Sequence, residues 1–189
     1  MRIKALGLLT AALLVPSISM AEFVYNNLEV SYIDVAYDTG VGSIDGDGYR
    51  FSGSYQMNSQ AFLHGEWEEQ NFDLGIDGSA YEFGAGYRYA LSNSLDLIAT
   101  ASYVHAEVDV AGFGFNDDGL GLGGGLRAQL APAFQVEAML RYVDLDQSGS
   151  DTGLELLGRY YFSDRYAFTL ETTLDDNVDT LSLGFRAEF

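Results

Sequence analysis

The feature that most constrains this chain is an alternation that runs from Phe23 almost to the last residue. In Ser79–Tyr89, S-A-Y-E-F-G-A-G-Y-R-Y, every second residue (Ser79, Tyr81, Phe83, Ala85, Tyr87, Tyr89) is apolar, aromatic or small, and those between (Ala80, Glu82, Gly84, Gly86, Arg88) are small or charged. A period of two marks a strand with unlike faces. An aromatic-rich face this long must be covered, either by a second sheet or by lipid. In a membrane barrel lipid covers it and the charges turn inward.

The pattern repeats ten times. Apolar sets such as Leu28, Val30 and Tyr32, or Leu181, Leu183, Phe185, Ala187 and Phe189, alternate with polar ones such as Asn27, Glu29 and Ser31, or Ser182, Gly184, Arg186 and Glu188. Short turns near 58, 92, 132 and 164 alternate with longer Asp/Gly loops near 40, 75, 113, 148 and 177, among them Val108–Asp118. Short inner turns and longer outer loops are the asymmetry of transmembrane barrels. The expected architecture is an all-β, antiparallel, up-and-down barrel of ten strands over residues 22–189, with eight strands as the alternative.

Outward aromatics fall near the strand ends, with Tyr32, Tyr49, Trp67, Tyr81, Tyr103 and Tyr142 toward the loops and Tyr55, Tyr89, Phe134, Phe162, Tyr166 and Phe189 toward the turns. These read as two girdles. The strand arginines (50, 88, 127, 141, 159 and 186) all lie on the polar face. Lipid explains that bias, since an arginine at the bilayer midplane costs about 2–4 kcal/mol.

Residues 1–21 read as an export signal: Arg2 and Lys4, an apolar run from Ala5 to Val15, then Pro16 and Ser19-Met20-Ala21. The apolar run is too short for a spanning helix. Removing this segment takes away Arg2 and Lys4, so nine basic residues become seven against 28 acidic, a formal charge of −21. Such a surface repels nucleic acid, and a nucleic-acid partner is not expected. There is no cysteine, hence no disulfide staple.

The terminal Phe189, with Phe185 and other apolar residues at every second place behind it, resembles the assembly signal of Gram-negative outer-membrane β-barrel proteins. The mature length is similar to the small barrels typified by OmpX and the transmembrane domain of OmpA. Tyr25-Asn26-Asn27-Leu28-Glu29, Gly84-Ala85-Gly86-Tyr87-Arg88-Tyr89 and Gly125-Leu126-Arg127-Ala128 resemble segments of the Ax-twenty-one-like family of small exported barrels. The resemblance implies an outer-membrane location, contact with membrane lipid, lipopolysaccharide and the barrel-assembly machinery, a monomer, and no catalytic residue or cofactor.

Three motifs suggest other chemistry. Gly119-x-Gly121-x-x-Gly124 matches a dinucleotide fingerprint but lies within a strand, without the following helix the site requires. Asp175-x-Asn177-x-Asp179 copies the start of a calcium loop, yet Thr180 replaces the turn glycine and Arg186 the bidentate glutamate. Loose divalent-cation binding by these residues with Asp45, Asp47, Asp117 and Asp118 is the weaker reading beside solvated acidic loops. Ser79, His105 and Glu107 meet at the outer rim if Tyr89 pairs with Leu95, which raises the alternative of a lipid hydrolase.

The simplest turns set Arg50 opposite Glu66, Arg88 opposite Asp96, Arg127 opposite Glu137 and Arg141 opposite Glu155 on the inner face. Arg159 and Arg186 would reach Glu171, and Glu29 would meet Arg186 where the barrel closes. His64 faces the lumen beside Glu66. The expected function is that of a non-enzymatic outer-membrane barrel with a structural or surface-interaction role, its lumen largely plugged by ion pairs; a narrow solute channel is the other alternative.

Overall fold

The computed structural model describes residues 23–38, 43–73, 75–110, 112–175 and 178–189. The expected leader, the residues about 40, and Asn177 lie outside them. The ten strands are β1 (Asn27–Asp38), β2 (Ser43–Gln56), β3 (Ala61–Phe72), β4 (Ile76–Ser92), β5 (Leu95–Val110), β6 (Phe113–Ala131), β7 (Phe134–Leu145), β8 (Gly149–Tyr161), β9 (Tyr166–Leu174) and β10 (Val178–Glu188). Each pairs antiparallel with its neighbours in sequence, and β1 pairs with β10 to close the barrel. Closure satisfies every strand edge, which a sheet in lipid requires.

The faces fall as the alternation dictates. Leu28, Phe83, Leu122, Leu140, Leu183 and their row-mates are exposed, whereas Ser31, Arg88, Arg127, Arg159, Thr169 and Arg186 are buried. This is inside-out relative to a soluble protein. Outward rings pack along the strand ends: Tyr32 on Tyr49 at 5.7 Å and Phe51 on Trp67 at 5.6 Å. Near the other end Phe162 meets Phe168 at 5.0 Å and Tyr166 meets Phe185 at 5.7 Å. Phe189 ends the chain exposed, its amide bonded to the carbonyl of Asn26 at 3.1 Å.

The segment expected to be a loop from Val108 to Asp118 is instead strand for most of its length. Val108 pairs with Phe115 and Val110 with Phe113, so the β5–β6 hairpin is the longest in the barrel and projects beyond the lipid-facing rows. β-Branched and aromatic residues at alternate places outweigh the Asp and Gly between them. Gly112, at φ 86°, supplies the left-handed residue at its tip, and its amide donates to Asp109 at 2.8 Å.

Three registers differ from the simplest reading. At the β2–β3 turn the Asn58 side chain accepts from the amides of Gln60 and Ala61, both at 2.9 Å, and the wider turn sets Arg50 opposite Glu68, not Glu66. An irregularity between Ala90 and Ser92 sets Arg88 opposite Ile98, not Asp96. Arg141 stands opposite Gly153, not Glu155. Each shift is by two residues, so every side chain keeps its face.

Candidate functional site in the barrel lumen

Two layers of charge cross the lumen. The one nearer the short turns holds Arg88, Arg127, Arg159 and Arg186 with Glu29, Asp96, Glu137 and Glu188. Arg127, directly opposite Glu137, lies 2.7 Å from it, and Arg159 Nη1 reaches the same Glu137 oxygen at 2.9 Å. Arg88 meets Asp96 diagonally at 3.2 Å. Arg186 lies opposite Glu29, 3.5 Å away, and 3.2 Å from Glu188, whose carboxylate also accepts from the Tyr161 hydroxyl at 2.6 Å. Four cations meet four anions, and their side chains are 1–11% exposed.

The middle layer is unequal. Arg50 contacts Glu68 at 2.7 Å, Glu66 at 3.4 Å, and Glu171. Arg141 contacts Glu155 at 3.2 Å, and Glu82. Here two guanidinium groups face five carboxylates, and the side chains are 12–29% exposed. Glu171, expected to answer Arg159 and Arg186, is held by Arg50 instead, because its strand neighbours are Leu157 and Ser182. His64 faces the lumen with its nearest carboxylate contact at Glu82, 3.9 Å away.

Sequence reasoning missed what fills the space among these charges. Phe23–Asn26 precede β1 without strand pairing, yet Phe23 is 4% and Tyr25 1% exposed. Tyr25 enters the lumen, packs tilted against Phe62 at 4.7 Å, sits under the Arg127 guanidinium at 4.4 Å, and donates to Asp96 at 3.1 Å. Phe23, Tyr25, Phe62 and Ile98 form a buried apolar cluster, with Met139 against it. The signal was present, since Phe62, Ile98 and Met139 are apolar residues on the polar face. Above this cluster lies a cavity of about 170 Å³, bounded by Ser52, Ser54, Thr100, Glu66, Glu82 and Glu155 among others.

At the outer rim the three hydrolase candidates do not align. Ser79 stands opposite Glu107, while His105 stands opposite Tyr81 and Asp118. The His105 Nδ1 lies 2.6 Å from Asp118, its ring stacks on Tyr81 at 4.7 Å, and the Tyr103 hydroxyl donates to the same Asp118. The hydrogen bonds from Tyr103 and then His105 hold the Asp118 carboxyl below its ordinary pKa. Beside it, beyond the lipid-facing rows, Asp117 accepts from the amides of Gln147 at 3.1 Å and Ser148 at 2.7 Å, and is likewise lowered, first by Ser148. Among the described residues no three His, Asp or Glu side chains converge as metal ligands. Asp175 and Asp179 flank the β9–β10 loop, and Asn177 lies outside the described residues. Gly119, Gly121 and Gly124 lie within β6, in strand on both sides, with no phosphate-binding turn.

A closed antiparallel barrel with an apolar exterior, ringed aromatics and a charged interior is a transmembrane β-barrel. The chain belongs to the outer membrane protein beta-barrel domain family, whose model matches residues 5–189. Its place is the outer membrane. Among solved structures it is similar to an outer membrane channel from Pseudomonas putida F1, at 13% identity over 93% of this chain and 100% of that one, TM-score 0.51. It is also similar to Neisserial surface protein A, at 18% identity over 86% and 96% of the two chains, TM-score 0.44. A third is the N-terminal beta-barrel domain of Pseudomonas aeruginosa OprF, at 14% identity over 87% and 99%, TM-score 0.47. At such identities the likeness concerns the fold alone. No curated protein matches the sequence.

Proposed function

We propose that this is a closed, non-enzymatic outer-membrane barrel that serves as a structural and surface-interaction protein. The observation that carries the reading is the layer of four arginines and four carboxylates, nearly all solvent excluded, packed together with the buried Phe23, Tyr25, Phe62 and Ile98 cluster. A wide pore hydrates its wall charges and has no need of mutual pairing. Removing one partner of so buried a pair strands the other at a cost of about 3–5 kcal/mol. The wall charges are therefore satisfied among themselves, and the buried rings fill the space they leave.

The surface role is supported by the projecting β5–β6 hairpin. Val108, Val110, Phe113 and Phe115 share one of its faces and are 41–73% exposed, while Glu107 and Asp109 lie on the other. An apolar patch outside the lipid band is the kind of surface that meets a partner. Against the hydrolase, His105 is engaged by Asp118 and Tyr81, away from Ser79.

Planar-bilayer recording of the pure protein tests the closure. The expected record is silence broken by rare, small openings, more frequent after Arg127→Ala or Glu137→Ala; steady porin-sized conductance from the unaltered protein overturns it. Mass spectrometry of outer-membrane lipids with and without the protein tests the second half. Loss of an acyl chain that depends on Ser79 would establish an enzyme instead.

A further inference from the structure

We propose that Phe23–Asn26 is a removable strap, and that withdrawing it opens a cation-selective water path through the barrel. This rests on the closed-lumen reading above. The strap lies across the short-turn end of the lumen without belonging to the sheet. One backbone bond, from the Phe189 amide to the Asn26 carbonyl at 3.1 Å, joins it to the end of β10, and side-chain contacts supply its other fastenings. Tyr25 donates to Asp96 at 3.1 Å, Arg88 donates to the Phe23 carbonyl at 3.2 Å, and Ser54 donates to the Tyr25 carbonyl at 2.6 Å. The Asn26 side chain accepts from the Gln56 amide at 2.7 Å.

The charges Tyr25 touches do not depend on it. Asp96 keeps Arg88 at 3.2 Å, and Arg127 keeps Glu137 at 2.7 Å, when the ring is gone. Withdrawal therefore strands no ion in a dry place, the event that makes breaking a buried pair costly. What is lost is the burial of two uncharged aromatic rings, Phe23 and Tyr25, with the packing of Tyr25 on Phe62 and its contacts with Arg88 and Arg127.

Above the ring the space is already polar. Tyr25 itself bounds the cavity of about 170 Å³, whose other walls include Ser52, Ser54, Thr100 and the carboxylates of Glu66, Glu82 and Glu155. That volume holds several waters. The same layer carries five carboxyl groups against the two guanidinium groups of Arg50 and Arg141, an excess of acidic over basic side chains. A low-dielectric wall focuses that field on the path. Cations are concentrated there and chloride is excluded.

The test compares the full-length protein with two variants, Phe23→Gly, Val24→Gly and Tyr25→Gly together, and Tyr25→Ala alone, in planar bilayers under a KCl gradient. Folding is verified first by heat-modifiable migration on gels. Open time should rise roughly a hundredfold in Tyr25→Ala, the factor matching lost burial of one aromatic side chain, and further in the triple variant, which also loses the Phe23 ring. Its reversal potential should shift toward that of K⁺, and should move back when Glu66→Gln and Glu155→Gln are added. Folded variants as silent as the unaltered protein would overturn the strap while leaving the closed lumen standing. Anion-selective or unselective current would overturn the selectivity. If neither variant folds, the segment is part of the folding core and the proposal falls. Steady conductance from the unaltered protein would refute the closed lumen itself.

Discussion

The two charged layers of the lumen are built from the same residue types on the same strands, yet they differ in balance and in wetness. The layer nearer the short turns pairs four cations with four anions at 1–11% side-chain exposure, whereas the middle layer sets two cations among five anions at 12–29%. Charge balance and dryness go together because an unpaired ion is tolerated only where water can reach it. The dry layer is therefore structural. The wetter one carries surplus carboxylate that water can reach.

The largest effect should come from Glu137→Ala, which strands both Arg127 and Arg159. A loss of about 3–5 kcal/mol is expected, read as a fall in the temperature at which the heat-modifiable band disappears. Little change would show that the dry layer is wetter than its burial indicates. Phe62→Ala should cost about 3 kcal/mol, since it removes the packing partner of Tyr25 and leaves a cavity in the cluster; denaturant titration in detergent measures it. By contrast Glu66→Gln in the middle layer should cost less than about 1 kcal/mol, because Arg50 retains Glu68 and Glu171. A cost equal to that of Glu137→Ala would erase the distinction between the layers.

The smallest effect concerns the outer edge, where the comparison extends to a carboxylate held by backbone amides. The Asp117 pKa is lowered by hydrogen bonding from Ser148 and Gln147, so the tie it makes to that loop is complete above the ordinary carboxyl pKa. It is lost as pH falls through the lowered value. Amide proton shifts of Gln147 and Ser148 in micelles should follow that titration and become flat in Asp117→Asn. Persistence of the titration in that variant would assign it to another group.

Much of this molecule was legible in its alternation. A period of two assigns a face to every residue, and a register error of two residues leaves that assignment intact, which is why Arg88 still meets Asp96 and Arg141 still meets Glu155 from diagonal positions. A long arginine reaches the diagonal neighbour across a strand pair. Which carboxylate Arg50 or Arg159 would choose was not legible. Glu171 went to Arg50, far away in sequence, and Glu137 took both Arg127 and Arg159.

By itself the sequence determined that the chain forms a lipid-facing barrel and which side chains line its lumen, because hydrophobic alternation is a local property that lipid and water sort directly. Only the tertiary structure decided the rest. Turn widths set the pairing, as Asn58 shows between β2 and β3. The entry of Tyr25 into the lumen depends on the space left between Phe62, Ile98 and Arg127, which lie on three strands and share no local signal with the segment before β1. Packing across a lumen joins residues distant in sequence, and one-dimensional periodicity carries no term for it.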